Sequence, residues 1–328
     1  MELRPTLREL NARPHPSVVL VRAGALGDTV LLLPALRLLA HRLPGARITL
    51  VGSNWARRLR PLADREWDFF PFESPQLAPL FDGSPRDLPE PLRTADALVL
   101  YTSRPEGPFA LNIDRCLDRS RAWSVEPSGT QHAAAHFASA LTTDPVTLDQ
   151  LPQPSLQTDA EMRQMADRCL RNLPGPHDQA PVTLHPGSGS PRKCWPPDRF
   201  AALARQLLED HHRVVVLEGP ADEHARKTLL ARVPHLPVLQ ERDLATVAGI
   251  LAASAICVTN DSGIGHLSAA LGTPTVSIFG PTNPALWRPL GPRAIAVSEK
   301  TGAWPAVHHV RRAIQQMPQR PRRRSYDP

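Results

Sequence analysis

Several features that mark particular classes of protein are missing from this 328-residue sequence. Aromatic residues make up only 5% of it, so aliphatic side chains must form most of the core. Its four cysteines have no paired spacing, which argues against a zinc site or a disulfide framework and favours a reducing, cytoplasmic compartment. No run of about 18 apolar residues predicts a membrane-spanning helix, and the first residues lack the pattern of a signal peptide.

Two nucleotide-binding motifs are also missing. The dinucleotide fingerprint needs three spaced glycines after the first strand and an acid about 20 residues further on. Here the first loop supplies only Gly24 and Gly27, and residues 47–53 contain no acid. The phosphate loop G-x-x-x-x-G-K-[S/T] is absent, since the glycines that precede Lys193 have the wrong spacing. A nicotinamide-dependent oxidoreductase and a P-loop ATPase are therefore disfavoured.

The net charge of +6 is concentrated at the C-terminal end of the sequence. Residues 305–328 hold six arginines and one acid, whereas the remaining 304 residues hold 32 basic and 31 acidic residues. A main part that is nearly neutral argues against a protein that coats nucleic acid. The arginines of the end segment are typical of a solvated, frayed chain end.

Apolar runs alternate with amphipathic segments along most of the chain, which predicts parallel sheets covered by helices. A polar, proline-rich stretch at 142–158 separates two such series. We therefore expect an α/β protein of two doubly wound, Rossmann-like domains that face each other across a cleft. The predicted divisions are an arm at 1–16, domains at 17–150 and 151–304, and a C-terminal helix with an Arg- and Pro-rich tail at 305–328.

The individual elements follow from the same periodicities. Strands are predicted at 18–21, 48–52, 69–72, 97–101, 122–125, 182–185, 214–217, near 238, at 255–258 and at 275–279. Helices are predicted from Asp28 to residue 43 and at 132–141, 159–173, 198–208, 222–232, 244–254, 267–271 and 307–317. Pro34 lies inside the first helical pattern, which predicts a kink or a later start of that helix.

The stretch 255–287 has the most informative pattern, because a glycine-rich turn at 259–266 joins a predicted strand to a predicted helix. Backbone N–H groups at such a helix start can bind a phosphate, although glycines also form tight turns in any α/β fold. Three further residues have two interpretations each. Asp28 is a helix N-cap or a functional carboxylate, Lys193 is a solvated surface residue or a diphosphate ligand, and His266 is a core histidine or part of a site.

Three motifs carry a resemblance to a known family. They are Leu26-Gly27-Asp28 followed by Leu33-Pro34-Ala35-Leu36; His185-Pro186-Gly187 with Lys193, Trp195 and Pro196; and Asp261-Ser262-Gly263 followed by His266-Leu267, Ala269-Ala270-Leu271-Gly272 and Phe279-Gly280. In this order and spacing the sequence resembles glycosyltransferase family 9, the ADP-heptose:lipopolysaccharide heptosyltransferases. The resemblance implies a GT-B fold, with the acceptor bound mainly by the first domain and an ADP-sugar by the second.

The resemblance also implies roles for single residues. Asp28 corresponds to the catalytic base, Lys193 to the lysine on the donor phosphate, and Asp261 to the residue that holds sugar hydroxyls. The remaining residues implied on the donor side are Ser188 and Ser262, Gly263 and His266 near the diphosphate and, by a weaker match, Glu223 at the ribose. Gly27 and Arg104 are expected on the acceptor side, although the loop of Arg104 matches no family motif. No metal ligand is implied and no cofactor besides the donor, and the sequence contains no Asp-x-Asp.

The implied function is an inverting, metal-independent transfer of heptose, or a related sugar, from ADP-heptose to a lipopolysaccharide-core-type or other cell-envelope saccharide. A nucleotide-sugar epimerase of the same fold and a binding protein that has lost catalysis are the alternatives. We expect a cytoplasmic monomer that binds no nucleic acid and uses a lipid-linked acceptor. Its basic tail, with Arg320, Arg322, Arg323 and Arg324, is then expected to contact the anionic cytoplasmic face of the inner membrane.

Overall fold

The structure, a computed structural model, describes residues 6–63, 67–82, 88–117, 119–127, 129–219, 222–240, 243–300 and 302–318. The chain divides into two compact units, Met1–Pro154 and Ser155–Pro328, whereas the sequence predicted a boundary at residue 150. Each unit contains its own parallel sheet with helices between successive strands. The predicted α/β class with two Rossmann-like units is confirmed.

The sheet of the first unit has five described strands in the order β3-β2-β1-β4-β5. They are β1 (Ser17–Arg22), β2 (Arg47–Gly52), β3 (Asp68–Pro71), β4 (Ala97–Thr102) and β5 (Ser120–Ser124). Residues 18–21 of the central strand β1 are at most 1% exposed, as expected of an apolar run with both faces covered. The strand order changes direction between β1 and β4, and ligands of doubly wound sheets bind at such switch points, beyond the carboxyl ends of the strands.

The α-helices described in the first unit are α1 (Leu7–Asn11), α2 (Leu26–Arg42), α3 (Asn54–Leu59), α4 (Pro79–Asp82), α5 (Glu90–Arg93), α6 (Pro108–Cys116) and α7 (Ala133–Ser139). The predicted start of α2 at Asp28 is wrong by two residues, because the helix begins at Leu26. It continues through Pro34, so the alternative of a later start is also wrong. Of these seven helices, only α2 and α7 were predicted.

The second unit has six described strands in the order β11-β10-β9-β6-β7-β8. They are β6 (Val182–His185), β7 (Val214–Glu218), β8 (Val238–Gln240), β9 (Ile256–Asn260), β10 (Thr275–Ile278) and β11 (Ala294–Val297). Its α-helices are α8 (Ala160–Arg171), α9 (Pro197–Glu209), α10 (Glu223–Leu230), α11 (Leu244–Ala253), α12 (Gly263–Ala270), α13 (Pro284–Trp287) and α14 (Val307–Gln316). Here the strand order changes direction between β6 and β9.

The start of α12 corrects the sequence-based boundary in the glycine-rich turn. We expected the helix at 267–271, whereas it begins at Gly263, directly after the N-cap residue Ser262. Gly263 and His266, which we had assigned to a turn, therefore lie in the first turn of a helix. The edge strand β11 was not predicted.

The last helix belongs to the core of the second unit. Val310, Ala313 and Met317 are buried in the same cluster as Trp195 and Phe200 of the segment after β6. The C-terminal segment that we had separated at residue 305 is thus continuous with this unit as far as residue 318, where the described structure ends. The predicted tail with its four arginines at 320–324 lies outside the described residues.

Candidate active site

Asp28 lies in the first turn of α2, just beyond the carboxyl end of the central strand β1. One carboxylate oxygen, Oδ2, accepts the backbone N–H of Ala25 at 2.9 Å. The other, Oδ1, lies 3.0 Å from the guanidinium of Arg22, the last residue of β1. Asp28 is therefore not the N-cap residue, although it satisfies the backbone of the residue that is. Its side chain is 30% exposed and remains accessible to a ligand.

The loop between β1 and α2 is shaped by a glycine. A Cβ on Gly24 would lie 2.5 Å from Cβ of Asp28 and 3.2 Å from Cζ of Arg22, so no larger residue fits between them without a shift. Ser53, which follows β2, donates its hydroxyl to the carbonyl oxygen of Gly24 at 2.7 Å. The half-buried Gly27 lies in the same first turn as Asp28.

Arg104 lies in the loop after β4, on the other strand of the switch point in the first unit. Its backbone N–H donates to the hydroxyl of Thr102 at 3.1 Å, and its side chain is exposed. The loop residues 104–107 line an open surface cavity of about 400 Å³. Asp28 and Arg104 thus follow the two neighbouring strands at which a ligand is expected.

Lys193, Asp261 and Ser188 come together at the switch point of the second unit. The Lys193 amino group lies 2.9 Å from Oδ2 of Asp261, whose carboxylate is 7% exposed and also accepts the Thr282 hydroxyl at 2.8 Å. The Ser188 hydroxyl donates to the backbone carbonyl of Asp261 at 2.8 Å. Lys193 remains 38% exposed, so its cation borders solvent beside a largely buried carboxylate.

The N-terminus of α12 continues this cluster. Ser262 is the N-cap residue, but its hydroxyl pairs with Thr259 at 2.8 Å and makes no cap bond to the first turn. The first N–H groups of a helix have no partner within the helix and form its positive end, where an anion is favoured. His266 is 5% exposed in the same helix. Gly263 and His266 therefore lie beside Asp261, as expected, with the histidine largely buried.

Sequence reasoning assigned no role to several polar side chains that hold the loop after β6. The side-chain amide of Asn260 donates to the carbonyl oxygens of Pro186 and Gly187 at 2.8 and 3.1 Å. Its Oδ1 accepts the backbone N–H of Trp195 at 2.9 Å. A signal was present, because Asn260 lies in the polar turn directly after the apolar run 255–258. Arg22 follows the apolar run 18–21 in the same way.

Asp222 holds the same loop from its other side. Its carboxylate accepts from His185 Nε2 at 2.9 Å and from the backbone N–H of Gly219 at 2.8 Å. Burial by itself raises the pKa of the Asp222 carboxyl, but the hydrogen bonds and the neighbouring imidazole outweigh it, so the pKa lies below its usual value. A Cβ on Gly187 would lie 1.8 Å from Oδ1 of Asp222, so glycine is required there.

Glu223 is less closely tied to the cluster. It begins α10 next to Asp222, is 65% exposed, and pairs with Lys227 one turn later at 2.6 Å. The start of α10 and the loop after β6 line a cavity of about 330 Å³ whose walls include Ser188, Trp195 and Asp222.

No three His, Cys, Asp or Glu side chains of the described residues come together as a potential metal site. None of their helices is both long enough and apolar enough to cross a membrane.

The fold and the two clusters define a doubly wound α/β protein with charged side chains at the switch point of each sheet. Comparison with known proteins identifies the family. The family model for glycosyltransferase family 9 (heptosyltransferase) matches residues 116–315. Lipopolysaccharide heptosyltransferase 1 of Pseudomonas aeruginosa is 32% identical over 304 residues, which cover 81% of this chain and 79% of the relative.

Solved structures agree with the family model. The structure of the Escherichia coli ADP-heptose lipopolysaccharide heptosyltransferase II superposes with a TM-score of 0.71 at 19% identity, covering 91% of this chain and 97% of the other. A family 9 glycosyltransferase from Veillonella parvula superposes with a TM-score of 0.72 at 19% identity, covering 93% and 96%. The chain belongs to glycosyltransferase family 9, the heptosyltransferase family, and has its GT-B fold. It is accordingly a glycosyltransferase, and membership of this family disfavours the epimerase alternative.

Proposed function

We propose that this glycosyltransferase moves a heptose, or a closely related sugar, from ADP-heptose to a lipopolysaccharide-core-type or other cell-envelope saccharide, with inversion at the anomeric carbon. The observation that carries the proposal is the cluster of Lys193, Asp261 and Ser188 at the N-terminus of α12. A cation, a hydroxyl and a helix N-terminus at one switch point form a suitable site for a diphosphate. The names of the relatives supply the donor and acceptor classes.

In this proposal the reaction is a single displacement. An acceptor hydroxyl attacks the anomeric carbon, its proton passes to a carboxylate oxygen of Asp28, and the bond from that carbon to the diphosphate oxygen breaks. One positioned base contributes about 10²–10⁴-fold to such a step. Asp28 suits the role because its carboxylate is both fixed and partly exposed.

The leaving ADP gains negative charge as the bond breaks. Lys193 and the N-terminal end of α12 are the groups of this chain that we propose to stabilise that charge. Asp261 is then placed to accept hydrogen bonds from sugar hydroxyls, with Ser188, Ser262, Gly263 and His266 around the diphosphate. We propose that these groups act without a metal ion or any cofactor besides the donor. Glu223 at the ribose, and Gly27 and Arg104 on the acceptor side, complete the proposed site.

The test is to incubate the purified protein with ADP-heptose, ADP-glucose and UDP-glucose and to measure nucleotide release with and without a delipidated core acceptor. We expect release of ADP only when ADP-heptose and acceptor are both present, a product of inverted anomeric configuration by NMR, and full activity in EDTA. ADP binding without turnover would instead favour a binding protein that has lost catalysis. Retained configuration, or strict dependence on Mg²⁺, would contradict the proposed mechanism.

A cytoplasmic location, a monomeric state and a lipid-linked acceptor remain part of the proposal. The location and the acceptor type are proposed because a core saccharide of the implied class is linked to lipid on the cytoplasmic face of the inner membrane. The basic tail would then contact anionic headgroups.

A further inference from the structure

We propose that Arg22 is a positioning residue for this reaction, which acts by holding the carboxylate of Asp28 in place. The inference rests on the proposed role of Asp28 as the base. Arg22 ends the central strand β1, and its guanidinium lies 3.0 Å from Oδ1 of Asp28. The Leu26-Gly27-Asp28 motif does not include Arg22, and the sequence analysis, which ended the strand at residue 21, assigned Arg22 no role.

The surroundings of Arg22 restrict its side chain. It is only 12% exposed, and the guanidinium carbon lies 5.7 Å from the centre of the Phe137 ring on α7. The Nε atom is buried and has no hydrogen-bond partner among the described residues, and an Nη atom makes the ion pair with Asp28. A charge with so little solvent and one carboxylate partner is oriented towards that partner.

Two contacts of different direction then fix the Asp28 carboxylate. The backbone N–H of Ala25 binds Oδ2 from the loop, and Arg22 binds Oδ1 from the strand. Gly24 makes this arrangement possible, because a Cβ there would lie 2.5 Å from Asp28 and 3.2 Å from the guanidinium carbon. General-base transfer needs the carboxylate within hydrogen-bond distance of the hydroxyl proton, and a misplacement of about 1 Å can lower the rate about 10²-fold.

Arg22 takes no part in the bonds that change. The acceptor proton passes to Asp28, the acceptor oxygen bonds to the anomeric carbon, and the diphosphate leaves, while the guanidinium stays protonated throughout. Its contribution should therefore appear in kcat and depend on the carboxylate of Asp28. It should leave the donor KM unchanged, because the proposed donor residues all belong to the second unit.

The first test uses Arg22→Met, which keeps an unbranched apolar side chain against Phe137 but removes the ion pair. We expect kcat to fall about 10- to 100-fold with the donor KM unchanged, and Arg22→Lys to recover most of the loss. Arg121→Met is the matched control, since that buried arginine stacks on Trp123 at 4.2 Å and donates to the Ala140 carbonyl oxygen, and it should keep normal kcat. If Arg22→Met does not fold, Arg22→Gln replaces it and should show the same fall in kcat.

A double-mutant cycle separates this inference from the proposed function. In an Asp28→Asn background, Arg22→Met should cause no further loss of kcat, because the carboxylate that it positions is gone. The positioning role would be overturned if the losses of kcat from the two single variants multiplied in the double variant. It would also be overturned if Arg22→Met raised the acceptor KM and left kcat normal. Normal turnover of Asp28→Asn alone would overturn the assignment of the base, and the inference with it. An inactive Asp28→Asn together with a fully active Arg22→Met would overturn only the role of Arg22.

Discussion

Asp28 and Lys193, the two side chains with the clearest proposed roles, each pair with an opposite charge in their own unit. Asp28 pairs with Arg22 at 3.0 Å, and Lys193 pairs with Asp261 at 2.9 Å. Each pair joins one largely buried group, Arg22 or Asp261, to a partly exposed one, so the cost of burying a charge offsets much of the attraction and the net contribution to folding stability is small. The main effect of each pair is to orient a charged group at a switch point.

Replacing Asp28 with Asn tests the base directly. Asn retains an oxygen for the N–H of Ala25, so the start of α2 should persist, whereas an amide cannot take up the acceptor proton. We expect turnover to fall by at least about 10²-fold with ADP affinity unchanged.

Asp96→Asn is the matched control for this substitution. Asp96 accepts the backbone N–H of Ser17 at the start of β1 and pairs with Arg13. It therefore lies at the amino ends of the strands, whereas Asp28 lies at their carboxyl ends. It should retain normal turnover. Near-normal turnover of Asp28→Asn would reduce Asp28 to a structural contact at the helix start.

Replacing Lys193 with Ala tests the diphosphate site. The change removes a cation and leaves the Asp261 carboxylate, 7% exposed, as an uncompensated negative charge beside the expected diphosphate. Calorimetry should show ADP bound more weakly by about 1.5–3 kcal/mol, the usual range for a hydrogen bond to a charged group. Lys300→Ala, an exposed lysine of the same unit, should bind ADP normally. Equal affinity for ADP in both variants would show that Lys193 is a solvated surface residue and not a diphosphate ligand.

At the scale of elements, the loop after β6 is held between the end of β9 and the start of α10. Asn260 binds its backbone from the end of β9, and Asp222 contacts Gly187 from the start of α10. This loop carries both Ser188 and Lys193. The position of the donor residues therefore depends on side chains that do not themselves touch the proposed donor.

Gly187→Ala should disturb this loop, and Gly189→Ala should not. The added methyl group at 187 would lie 1.8 Å from Oδ1 of Asp222, whereas a Cβ at 189 has no neighbour within 4 Å. We expect Gly187→Ala to lower the free energy of unfolding by about 1–3 kcal/mol, as overpacking does. It should also weaken ADP binding. Urea unfolding measures the stability of the two variants, and calorimetry measures their affinity for ADP. Equal stability and equal affinity would show that the loop accommodates the methyl group at 187.

The elements themselves were predictable to different degrees. Apolar runs such as 18–21 and 214–217 became buried strands because only fully covered strands tolerate such runs. The start of α12 was missed because Gly263 and Gly265 are poor helix formers, yet Gly265 packs where a Cβ would lie 2.9 Å from Thr259. Strand β11 was missed because it is a half-buried edge strand. Pairs such as Arg22–Asp28 depend on how neighbouring segments pack, which periodicity does not reveal.

At the scale of the whole molecule, each unit presents one cluster at its own switch point. The chain ends in a basic tail after a helix that is part of the core. Because Met317 is 6% exposed within that core, a truncation after it keeps the described contacts of α14 with the second unit.

Truncation after Met317 tests whether the tail binds membranes. Four arginines near an anionic surface contribute about 1 kcal/mol each, so the truncated protein should bind anionic vesicles more weakly at low salt. Turnover of a delipidated acceptor should stay the same. The full-length chain with Arg320, Arg322, Arg323 and Arg324 changed to Gln is the matched control, and it should behave like the truncation. Equal vesicle binding by all three proteins would make the tail a solvated end.

The contact between Trp195 and Pro305, just before α14, suggests a way to detect donor binding. The indole N–H of Trp195 donates at 2.9 Å to the carbonyl oxygen of Pro305, 110 residues later, and Arg199 donates to the same oxygen. The segment that carries Lys193 and the segment that leads into α14 are thus joined by these hydrogen bonds. A nucleotide that restrains the loop after β6 should slow deuterium uptake in the amides of α14, measured by mass spectrometry with and without ADP. The C-terminal helix would then report on donor binding although it holds none of the proposed donor residues.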